Sequence, residues 1–62
     1  MKAKVIVGEA EGYPPMNSVG NCEKIDEKRS LFFPENDADL PPGCPRKDFG
    51  GYEMAVEELQ LL

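Results

Sequence analysis

Twelve of the 62 residues are proline or glycine, and these add little to a hydrophobic core. A chain of this length buries only about 60% of its unfolded surface on folding. Chains this small usually need a disulfide, a metal or a partner subunit to stabilise them. The sequence therefore predicts one small domain over residues 1–62 with a marginal core.

Two apolar runs predict β-strands. Residues 2–7 end in the β-branched run Val5-Ile6-Val7, which is typical of a strand. Leu31-Phe32-Phe33, within residues 29–33, is a compact apolar run that a proline ends. Residues 8–21 are rich in turn-forming types, so we expect them to be mostly irregular.

The C-terminal segment has the strongest periodicity, and it fits two structures. Apolar residues recur at helical spacing at Tyr52, Ala55, Val56, Leu59 and Leu62. This pattern predicts a helix over about 52–62, with Met54 and Leu61 off its buried face. Tyr52, Met54 and Val56 also alternate as in a strand, and a bulge at 57–58 would restore the alternation.

A short resemblance favours the strand interpretation. Residues 50–53 (Gly-Gly-Tyr-Glu) and 56–62 (Val-Glu-Glu-Leu-Gln-Leu-Leu) resemble the final strand pair of the anticodon-binding OB domain in aspartyl- and asparaginyl-tRNA synthetases. The resemblance covers only this end of the chain and lacks the preceding strands. It implies strands here, and we infer no tRNA binding from it.

The leading fold prediction is α+β: a small single domain of two or three short strands with a C-terminal helix. The alternative is a small all-β barrel, OB- or SH3-like, in which the last segment is a bulged strand.

Charge and hydropathy limit the expected partners. Twelve acidic residues against seven basic ones give a net charge of −5, and the basic residues are scattered among acids. Nucleic-acid binding needs a basic patch, so we expect no direct nucleic-acid partner and no membrane partner. The longest β-branched apolar run near the start is too short for a signal peptide, and no stretch is long enough for a membrane span. We therefore expect a cytoplasmic protein.

Side chains suited to catalysis are scarce. The chain has no histidine, so neither a Ser-His pair nor an imidazole metal ligand is available. Cys22 and Cys44 could be free thiols, a disulfide or soft metal ligands, and a closed zinc site needs four ligands. Reduced cysteines fit a cytoplasmic chain. We predict no cofactor, no metal site and no catalytic residue.

An acidic loop follows the second predicted strand. Glu35, Asp37 and Asp39 cluster oxygen ligands, but the glycine of a calcium-binding loop is missing at the required spacing. We therefore interpret this segment as a solvated acidic surface.

Together these features predict a non-enzymatic interaction protein, an accessory subunit or inhibitor that offers acidic and apolar surface to a protein partner or to a second copy in a homodimer. A C-terminal helix with apolar groups on two faces indicates such a partner. The predicted partner-binding residues are Met54, Glu57, Glu58, Leu61 and Leu62. The alternative is a thiol- or metal-dependent small subunit that uses Cys22 and Cys44.

Overall fold

The computed structural model describes residues 1–8 and 12–62, which form a five-stranded antiparallel sheet. The strands are β1 (Lys2–Val5), β2 (Val19–Lys24), β3 (Arg29–Pro34), β4 (Tyr52–Ala55) and β5 (Leu59–Leu61). Three 3₁₀ turns lie at Asp37–Asp39, Arg46–Asp48 and Val56–Glu58. None of the described residues forms an α-helix.

The sheet curls because of how its two edges are connected. The strand order is β4-β3-β2-β1-β5, so the two outermost strands follow each other in sequence. In a flat sheet their axes would be about 19 Å apart, at about 4.8 Å per strand. The single 3₁₀ turn at Val56–Glu58 that joins them is too short for that distance. The order is a meander, unlike the Greek-key order of an OB barrel.

The core fills the concave side of this curled sheet. Its buried apolar members are Ala3, Val5, Cys22, Phe32, Tyr52 and Met54. Strand alternation selects them: in β3 the side chains of Ser30, Phe32 and Pro34 are buried, while Leu31 and Phe33 are half-buried on the other face. The buried Ser30 hydroxyl donates to the Glu23 carbonyl at 2.9 Å, which removes the cost of burying it.

The predicted α+β fold is wrong, and the all-β alternative fits. Residues 52–62 form β4, a 3₁₀ turn and β5 rather than a helix. A helix would bury one stripe of side chains. Instead, β4 hydrogen-bonds to β3 at one edge of the sheet, and β5 hydrogen-bonds to β1 at the other edge. Tertiary pairing therefore overrides the helical propensity of Glu, Met, Ala and Leu. The synthetase resemblance identified strands, but β4 and β5 lie at opposite edges and do not pair.

Other boundaries also differ from the sequence predictions. The first strand ends at Val5, and Ile6 is 46% exposed. The segment predicted to be irregular, 8–21, contains the start of β2 at Val19. Residues 9–11 of that segment lie outside the described residues. The predicted strand at 29–33 is confirmed and extends to Pro34.

In the described part of the chain, no helix is long and apolar enough to cross a membrane.

Candidate partner-binding cleft

A cleft of about 950 Å³ opens where three parts of the described chain meet. One wall is Tyr13, from the loop before β2. The second is the β2–β3 turn, and the third is the end of β4 with the 3₁₀ turn that follows it. The lining residues are Tyr13, Glu27, Lys28, Arg29, Glu53, Met54, Ala55, Val56, Glu57 and Glu58.

Glu58 ties two of these walls together. Its Oε1 accepts a hydrogen bond from the Ala55 backbone N–H at 2.8 Å and another from the Tyr13 hydroxyl at 3.1 Å. The hydrogen bond to Glu58, its negative charge and partial burial together raise the pKa of Tyr13 above its ordinary value. The phenol therefore stays protonated and holds the loop against the β4–β5 junction.

Asp26 shapes the β2–β3 turn. Its Oδ1 accepts hydrogen bonds from the backbone N–H groups of Lys28 and Arg29, both at 2.8 Å, in the manner of an Asx turn. The Ile25 N–H closes the turn on the Arg29 carbonyl at 2.9 Å. The hydrogen bonds from Lys28 and Arg29 lower the pKa of the Asp26 carboxyl.

This pKa shift predicts a pH dependence of stability. Because the folded-state pKa of Asp26 is depressed, its contribution is present above the unfolded-state pKa and is lost as the pH falls through the folded-state value. We expect Asp26→Asn, which keeps a side-chain oxygen acceptor, to lose less thermal stability than the wild type between about pH 5 and about pH 2. Thermal melts of both proteins measure this, and parallel pH profiles would contradict it. Asp26→Ala, which removes the acceptor, should be less stable than Asp26→Asn at neutral pH.

The cleft is acidic overall, with apolar surface beside the charges. Its described lining holds four carboxylates and two basic side chains, and Arg29 forms an exposed ion pair with Glu53. Val56 lies in the same lining and is 38% exposed. The arrangement suits binding of an extended segment that carries both a cation and an apolar side chain.

The sequence-predicted partner residues divide between two places. Glu57 and Glu58 line the cleft. Leu61 and Leu62 lie outside it, at the β5 edge, and are 56% and 62% exposed. The sequence predicted that Met54 lies on an outer surface, and this prediction is wrong. Met54 is a core residue, 1% exposed, that also contributes to the lining of the cleft. Strand alternation, with Met54 on the same face as Tyr52, places it inside.

The sequence did not predict that Tyr13 and the β2–β3 turn contribute to the same site as Glu57 and Glu58. Tyr13 lies far along the chain from the β2–β3 turn and from the 3₁₀ turn after β4. The only local signal was an aromatic residue before Pro14 and Pro15 in a loop. No periodicity within one segment indicates that these three segments meet.

The predicted acidic loop is held in place by its own ion pairs. Glu35 pairs with Lys2 at 2.9 Å, and Asp37 pairs with Arg46 at 2.6 Å. The backbone carbonyl of Asp39 accepts a hydrogen bond from the Tyr52 hydroxyl at 2.7 Å. The loop therefore packs on the end of β4, and its carboxylates are not gathered at one site.

The two cysteines have different surroundings. Cys22 is buried in β2, opposite Phe32, and Cys44 is half-buried in the proline-rich loop; both are free thiols. Among residues 1–8 and 12–62, no three Cys, Asp or Glu side chains come together as a set that could hold a metal ion.

Comparisons with protein-family models, with curated protein sequences and with solved structures found no match for this chain.

Proposed function

We propose that this chain is a non-enzymatic interaction module, an accessory subunit or inhibitor, that binds an extended basic segment of a protein partner. The observation that carries the proposal is the cleft itself, where four carboxylates and the exposed side chain of Val56 lie on a framework fixed by hydrogen bonds. A cleft with rigid walls loses less entropy on binding than a surface that must become ordered.

The chemistry of the lining supports binding rather than catalysis. Among the lining residues that the structure describes, the only hydroxyl is the phenol of Tyr13, whose pKa is raised by Glu58. Nucleophilic catalysis needs an activated group with a base beside it. Glu58 is occupied instead by two structural hydrogen bonds. We therefore assign Tyr13 and Glu58 a structural role, in which they hold the loop before β2 against the β4–β5 junction.

Charge supports a basic partner. The net charge of −5 speeds the approach of a cationic segment, and the carboxylates of the cleft select for it at close range. Within residues 1–8 and 12–62, three of the basic residues, Lys2, Arg29 and Arg46, are in ion pairs with acids. This pairing disfavours phosphate binding, so direct nucleic-acid and membrane partners are not part of the proposal. The proposal includes the cytoplasmic location that the sequence predicts.

A selection from a displayed library of random extended peptides tests this proposal. We expect the selected peptides to be enriched in Lys or Arg next to an apolar residue. Glu57→Lys, which reverses a charge inside the cleft, should weaken their binding about tenfold or more. Isothermal titration calorimetry on the selected peptides measures the change.

Glu23→Lys is the matched control. It makes the same charge change on β2, at a position that does not line the cleft. It should alter affinity about twofold or less, through long-range charge alone. The proposal fails if no basic peptides are enriched, or if the two variants weaken binding equally.

A further inference from the structure

We draw no further inference here: the strongest candidate, the outer edge of β4 at the cleft, belongs to the site already described, and nothing in the structure shows which chain would pair with it.

Discussion

Met54→Asp unfolds the protein, whereas Val56→Asp leaves it folded. Met54 is 1% exposed in the core, so aspartate there would bury a charge with no partner. The expected loss is about 5 kcal/mol or more, against a total stability of about 3–9 kcal/mol for a domain of this length. Val56 is 38% exposed on the 3₁₀ turn after β4, so its substitution should cost about 1 kcal/mol or less.

Circular dichroism and gel filtration of the two variants measure this difference. The helix interpretation of residues 52–62 predicts the opposite order, because it buries Val56 and exposes Met54. A folded Met54→Asp beside an unfolded Val56→Asp would therefore contradict the β4 assignment. Ser30→Ala, at the residue that pairs with Met54, is a milder probe of the same face and should lose about 1 kcal/mol with its hydrogen bond.

Gly20→Ala destabilises the protein by about 3 kcal/mol, because there is no room for a methyl group. A Cβ at Gly20 would overlap the Phe33 carbonyl oxygen and lie 2.7 Å from the Pro34 Cα. Both are backbone atoms of β3, which is paired with β2 at this point. They cannot move aside without breaking the ladder between the two central strands.

Gly50→Ala is the control for Gly20→Ala. A Cβ at Gly50 meets no atom within 4 Å, so this substitution should change stability by about 0.5 kcal/mol or less. Urea denaturation of both variants measures the two free energies of unfolding. Equal values would show that β2 and β3 do not approach as closely as the register requires.

The strands that could be predicted are those whose signal is local. In β3, a compact apolar run ended by proline indicated a strand. A β-branched run also indicated the first strand, although only Val5 of that run lies in β1. β2 was missed because Val19–Lys24 mixes turn-forming and charged residues, and it is a strand mainly because β1 and β3 pair with it on both sides. Residues 52–62 fit both a helical and a strand periodicity. They form strands because β3 and β1 offer backbone groups with which they can pair.

The candidate cleft was predictable only in part. The acidic character and the contribution of Glu57 and Glu58 followed from composition and from the C-terminal pattern. Their contact with Tyr13 did not, because the hydrogen bond between Tyr13 and Glu58 joins residues 45 positions apart. Met54 was misplaced since its orientation depends on whether the segment is helical or extended.

The sequence by itself determined the small size, the acidic charge, the absence of histidine and two of the strands. These depend on composition or on neighbouring residues, which the chain specifies directly. The tertiary structure alone decided that the C-terminal segment is two strands, that the sheet curls so that its edges are joined by one turn, and that three distant segments enclose a cleft. The physical reason is that unpaired backbone groups must find hydrogen-bond partners, and where those partners lie depends on the whole sheet.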